Sequence, residues 1–392
     1  MITKKWVDAD GYQYMNKELF TLYIESVALD DLNKGLQLAQ GKGAKSLMLL
    51  ICSQNEYNEK ALTLLLTGCS LPVFGGMYPM ITHQTALYKQ GALIIGFKEV
   101  YQTSLFSDLD QVSDEDELEE QINRVLEKNE NLNHQDDFLM FYDGLMTNIE
   151  DFIDCLFDCL DHTISIAGGG AGYLDFVQRP SVITNNGIYS NSVLLVSLPS
   201  KITTSIAHGW QILEGPFLAS EVHEQTVLSL NYQAAFDVYA QAIEINSHYK
   251  FDSGNFHDIT KHFPLGIEDI NNNLIVRDPV LAINGHLQCV GKIAINSMVY
   301  LLHGSEDNLI NAAEEAAIEV FSNINVSQQA SMMFDCVSRV LYMEDRYNQE
   351  LQVISKHNKS SELFGVLSIG EIANGQSGAL SLLNRSIVIS TW

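Results

Sequence analysis

Basic side chains are scarce in this sequence: 22 lysines and arginines stand against 49 aspartates and glutamates, a formal charge of -27 over 392 residues. So acidic a chain repels nucleic acid phosphates and anionic lipid headgroups alike, which leaves proteins and small molecules as partners. Long apolar runs are missing as well. Residues 47–52 and 193–196 are uninterrupted but short, far below the ~20 residues that a membrane-spanning helix needs. The first ten residues carry Lys4 and Lys5 but no apolar core or small-residue cleavage site behind them, so a cytoplasmic location is expected. Paired cysteines are absent too. Cys52, Cys69, Cys155, Cys159, Cys289 and Cys336 form no C-x-x-C, the pattern expected of reduced core thiols. Cys155 and Cys159, four apart on an expected helix, share a face, which leaves a soft-metal or redox pair open. No H-E-x-x-H, no G-x-S-x-G and no cysteine beside a histidine occurs, so nothing local anchors a hydrolase and a non-enzymatic role is expected.

What is present suits a folded chain. Hydrophobic residues make up 46%, ample for real cores at a length that suggests two or three domains. Apolar runs at 46–52, 91–97 and 138–142 read as strands. Leu118, Ile122, Val125 and Leu126 recur at helical spacing behind Ser113-Asp114-Glu115-Asp116, which resembles a capping box. Residues 150–160 and 232–245 read as helices, and Ile310, Ala313, Ala317 and Val320 mark a further one. Asn185-Asn186-Gly187 and Asn284-Gly285 mark hairpins. Later strands are expected at 274–276, 280–283, 287–290, 298–302, 332–337, 364–369 and 386–389. Hairpins with long helices inserted imply an α+β fold of two domains, with mixed or largely antiparallel sheets covered by helices. The expected divisions are an N-terminal extension at 1–40, a first domain at 41–245 and a second at 246–392.

Gly168-Gly169-Gly170-Ala171-Gly172 follows an apolar run and reads as a strand ending in a loop. Glycine allows positive φ or close approach of a ligand or another backbone. The run lacks the Lys-Ser/Thr ending of a phosphate loop, and Tyr173 stands where a third glycine of G-x-G-x-x-G would fall, so a nucleotide cradle is not expected. Arg277, at an expected strand end, can clamp a ligand carboxylate or pair internally with Asp278 or another carboxylate, and Arg339 can act likewise. Gly370-Glu371 follows a buried run and can offer backbone amides or one carboxylate.

Several ordered segments resemble the FIST family of sensory modules, with both its N-terminal and C-terminal halves. Pro72-Val73-Phe74-Gly75-Gly76-Met77-Tyr78-Pro79, the central glycine run and His208-Gly209-Trp210 resemble the first half. Phe263-Pro264-Leu265-Gly266, Ile275-Val276-Arg277-Asp278-Pro279, Asp335-Cys336-Val337-Ser338-Arg339 and Ser368-Ile369-Gly370-Glu371-Ile372 resemble the second. The resemblance, over roughly residues 40–390, implies an intracellular sensor of a small ligand, with amino acids and related metabolites as suggested guests. It leaves no room for an output domain, so signalling is expected to pass to a separate protein such as a histidine kinase or a diguanylate cyclase, with a homo-oligomer also possible. Stand-alone members of this architecture include nitric-oxide-sensing haemoproteins, which makes haem the expected cofactor, with His208, His223 and His262 as alternative axial ligands. The expected pocket lies where residues 168–172 meet the Arg277 and Glu371 segments. A metabolite sensor without haem and an adaptor without any ligand are the competing readings.

Overall fold

The computed structural model describes residues 19–128, 136–198, 200–252, 254–269, 271–322, 330–358, 362–374 and 378–392. The first part of the expected N-terminal extension, residues 1–18, lies outside the described residues. From Leu19 the chain enters the fold directly, because Leu19–Ile24 pairs antiparallel with Ala92–Phe97.

Strand alternation explains the architecture. In Ser46–Cys52 the side chains of Met48, Leu50 and Cys52 enter one apolar cluster, while Leu47, Leu49 and Ile51 enter another. A strand buried on both faces has no polar side to show, hence the unbroken apolar run. Phe138–Asp143 divides likewise, with Leu139 and Phe141 facing the first cluster and Phe138, Met140 and Tyr142 facing a third. So does Ala330–Cys336, through Met332 and Phe334 on one side and Met333 on the other. Three six-stranded sheets therefore surround one central core. Each fully buried Phe in it, such as Phe141 or Phe334, contributes on the order of 2–3 kcal/mol by leaving water.

Helices cover the outer faces. Leu29–Gly41 and Glu59–Thr67 lie on the first sheet through Leu32, Leu36, Leu62 and Leu66. Glu115–Lys128 and Ile149–Cys159 cover the second through Leu118, Ile122, Phe152 and Leu156. Glu306–Ser322, Val337–Met343 and Tyr347–His357 cover the third. The acidic helix starts one residue later than its capping signature suggested: the Asp114 side chain accepts from the Glu117 amide at 3.0 Å, and Glu117 reaches back to the Ser113 amide at 2.9 Å.

The fourth sheet closes on itself. Its order runs Gln211–His223, Met298–His303, Leu265–Glu268, Leu274–Ile283, His286–Val290, Thr226–Leu230 and the two-residue Gln233–Ala234, and Thr226–Leu230 pairs back to the first strand. Helix Ala235–Asn246 packs into the apolar cluster of this barrel through Val238, Tyr239, Ala242 and Ile243. The two strands expected at 274–276 and 280–283 are one strand, interrupted by a bulge between Pro279 and Leu281; a proline that donates no hydrogen bond is accommodated there. The fold is α+β with mixed and antiparallel sheets.

Sequence halves and structural units do not coincide. Glu371–Asn374 and Leu380–Leu383 extend the sheet of Ile166–Ala171, and Ile387–Thr391 lies between Thr203–Ala207 and Ala330–Cys336. The barrel spans 211–303, so the expected division at 245/246 falls inside it.

Candidate functional site

The run expected to end in a loop is a strand. Ile166–Ala171 lies between Phe138–Asp143, to which it is parallel, and Glu371–Asn374, which runs antiparallel with Gly169 opposite Glu371 and Gly168 opposite Ile372. None of Gly168, Gly169, Gly170 and Gly172 has positive φ. Their need for glycine is steric. A Cβ on Gly168 would be driven into the Met140 carbonyl oxygen and one on Gly170 into that of Ile369. On Gly169 it would meet Phe334 at 2.7 Å and Ser368 at 2.8 Å, and on Gly172 the Ile369 side chain at 2.6 Å. Gly170 donates to the Gly370 carbonyl at 2.9 Å, and the Ile369 amide donates to the Gly170 carbonyl at 2.9 Å. Ala171 is fully buried. Gly168, Gly169, Gly170, Ala171, Gly172, Gly370 and Glu371 thus come together as a packed seam, with protein atoms in the space a guest would take.

Glu371 is fully buried. One carboxyl oxygen accepts from the Ser368 hydroxyl at 2.7 Å, the other from the Ser386 amide at 3.4 Å. Burial pushes this carboxyl up to about 8, so it carries its proton at neutral pH. Arg277 is separated from the glycine strand by two strands. Its guanidinium donates to Glu150 at 3.1 Å, to the Leu382 carbonyl at 3.1 Å and to the Lys292 carbonyl at 2.9 Å. The partner is thus Glu150 on the distant helix Ile149–Cys159, while the neighbouring Asp278 pairs with Arg385. Arg339 is likewise committed: it holds Glu350 at 2.6 Å and Asp335 at 3.2 Å, and donates to the carbonyls of His208, Leu309 and Arg385. Both arginines tie elements together inside the protein. Nearby, both amide atoms of Asn384, the Arg385 Nε and the Trp210 indole nitrogen are buried without a hydrogen-bond partner among the described residues.

The three nominated histidines are scattered. His208 uses its Nδ1 to accept from the Trp210 amide at 2.9 Å; burial, aided by the Arg339 charge, pushes its pKa down to about 4. With Nδ1 accepting this bond, the proton of the neutral ring sits on Nε2, so neither nitrogen offers a free lone pair to an iron. His223 is exposed at the end of Gln211–His223. His262 stacks on Tyr249 at 5.4 Å and meets the edge of Tyr342 at 5.2 Å, and burial lowers its pKa. On helix Ile149–Cys159, burial and the surrounding acids push the half-buried Cys155 thiol up to about 11, which disfavours a thiolate. Among the described residues no three His, Cys, Asp or Glu side chains are grouped to hold a metal ion.

A cavity of about 400 Å³ lies elsewhere, on the barrel, a size within the range of small-molecule sites. Phe236, from the start of Ala235–Asn246, Phe251, and Phe256, from the short helix Phe256–Thr260, form its aromatic wall. Their rings pack on one another, Phe236 edge-on to Phe251 at 5.2 Å and Phe251 to Phe256 at 6.1 Å. Leu281 and Ala282, at the end of the bulged strand, and Gly285 of the hairpin turn form the opposite side. Asp252, His257 and Asn284 supply the polar groups. The sequence marked Asn284 and Gly285 as a hairpin turn and 280–283 as a strand, but none of these residues as part of a site, although the aromatic density of Tyr249, Phe251, Phe256 and Phe263 was the signal available. A second hollow, of about 350 Å³, is an open groove beside the edge strand Thr103–Phe106.

The seam, built from the middle of the chain and its C-terminal part, and the barrel beside it belong to a two-part sensory module. Residues 46–233 match the FIST N domain and residues 235–374 the FIST C domain, so the chain belongs to the FIST family. FIST domains are signal-transduction domains that sense small ligands. No curated protein matches the chain.

Proposed function

We propose that this protein senses a small molecule held in the phenylalanine-walled cavity of the barrel and passes its state to a separate signalling protein, a histidine kinase or a diguanylate cyclase. The observation that carries this reading is the cavity itself: an apolar wall with a few polar groups is the usual form of a ligand site. The bulged strand gives it a route to the seam. Leu281 and Ala282 touch the cavity, while on the same strand Arg277 grips Glu150 and Leu382, and Asp278 grips Arg385. A guest that favours one setting of this strand biases those bonds; one that binds both settings equally shifts nothing. The test is a thermal-shift panel of amino acids and related metabolites on the wild type and on Phe251→Ala. A rise in Tm that Phe251→Ala abolishes supports the reading, since a ligand of the native state must raise stability. No rise with any compound favours the ligand-free adaptor.

Haem is the second reading, and His257 on the cavity wall is the observation that favours it. Bound there, haem would supply an iron that takes nitric oxide, with His257 as the protein ligand and the phenylalanines as the apolar surround, while Asp252, the one carboxylate on the wall, would oppose its propionates. A Soret band after haem addition, lost in His257→Ala and kept in His208→Ala, supports it; no band removes it.

A further inference from the structure

We propose that the barrel cavity selects amines: a primary or quaternary ammonium carried on a small aromatic or branched apolar body. The inference rests on the sensor reading above for the place of the ligand and adds its chemical class. Among the residues that line the cavity, Asp252 is the one carboxylate, and none is a lysine or arginine. One Asp252 oxygen accepts from the Gly254 amide at 2.9 Å; the other has no hydrogen-bond partner among the described residues. A carboxylate poised beside three phenylalanine rings is the combination that holds an ammonium group, the charge by ion pairing and the methylene or methyl shell by cation–π contact. The reverse case is disfavoured. A guest carboxylate would meet Asp252 and find no guanidinium or ammonium on the wall to neutralise it. The net charge of -27 acts in the same direction over longer range, drawing cations toward the mouth and repelling anions.

Three probes of one shape separate the possibilities: 2-phenylethylamine, neutral 2-phenylethanol and anionic 3-phenylpropanoate, titrated calorimetrically into the full chain at low salt. The amine is expected to bind at least tenfold tighter than the alcohol, with the advantage shrinking as salt is added. The propanoate is expected to be the weakest. Asp252→Asn should bring amine and alcohol to equal affinity, whereas Phe251→Ala should weaken both; circular dichroism of each variant verifies that it is folded. Equal binding of amine and alcohol to the wild type, or an amine preference that survives Asp252→Asn, overturns the amine assignment and leaves the cavity as a site. Preference for the propanoate overturns it as well. If neither amine nor alcohol binds, the amine assignment fails, and the Phe251→Ala arm of the metabolite panel decides separately whether the cavity is a site at all.

Discussion

The glycine seam and the phenylalanine cavity are opposite answers to the same question of what to do with missing side chains. At the seam, glycines bring two backbones so close that no guest fits, and the nominated carboxyl there, Glu371, is turned inward. At the cavity, large rings pack on one another and leave space beside them, with the polar groups at the rim. The sequence drew attention to the first because glycine runs are conspicuous, and gave no comparable mark to the second. A scarcity of side chains can therefore mean tight packing as readily as a vacancy; what tells them apart is what a Cβ would strike.

Mutations can sharpen that contrast. Arg339→Ala should have the largest effect, about 3–5 kcal/mol, because it strands the buried carboxyls of Glu350 and Asp335; urea unfolding measures it. Gly170→Ala should cost about 3 kcal/mol, since the new methyl is forced into a backbone carbonyl instead of a movable side chain. A loss below about 0.5 kcal/mol would mean that the seam yields more than its packing implies. Phe251→Ala, in a half-buried wall, should cost only about 1–2 kcal/mol while abolishing ligand-induced stabilisation.

Glu371→Gln tests the seam through pH. Its folded pKa of about 8 stands above the ordinary value of 4.5, so the stability it contributes is complete below about pH 4.5 and is lost as pH rises through 8. The variant should lose less stability than the wild type between pH 6 and 9, a difference that urea midpoints at each pH will read; parallel curves would place the carboxylate in a better-solvated setting. His208 works in the other direction. With a folded pKa of about 4 against an ordinary 6.5, its contribution is present above about pH 6.5 and disappears as pH falls through 4. Replacing it with Gln should flatten the acid limb, the smallest effect of the series.

The elements that could be read in advance are those whose pattern is local. Ile310, Ala313, Ala317 and Val320 are buried on one face of Glu306–Ser322 as their spacing implies, and the Asn284-Gly285 turn takes positive φ at both positions. The FIST resemblance was legible because its motifs recur in order. Helix Tyr347–His357 was not, because its inward face includes Glu350, whose burial is explained only by Arg339 from another element. Arg277 displays the same limit: the sequence places Asp278 beside it, but the fold supplies Glu150. The glycine strand was misread as a loop because one letter encodes both unusual torsion and close approach. The cavity walls are drawn from three elements, so no window of sequence contained them.

The strand Ile387–Thr391 fills the gap between Thr203–Ala207 and Ala330–Cys336. During synthesis, two sheet edges wait unpaired until this segment leaves the ribosome, and the central core cannot close before then. A product arrested upstream would present exposed edges ready to pair with other chains. Closure of the central core thereby waits on this one strand, and copies that lack it should be recognisable by their aggregation.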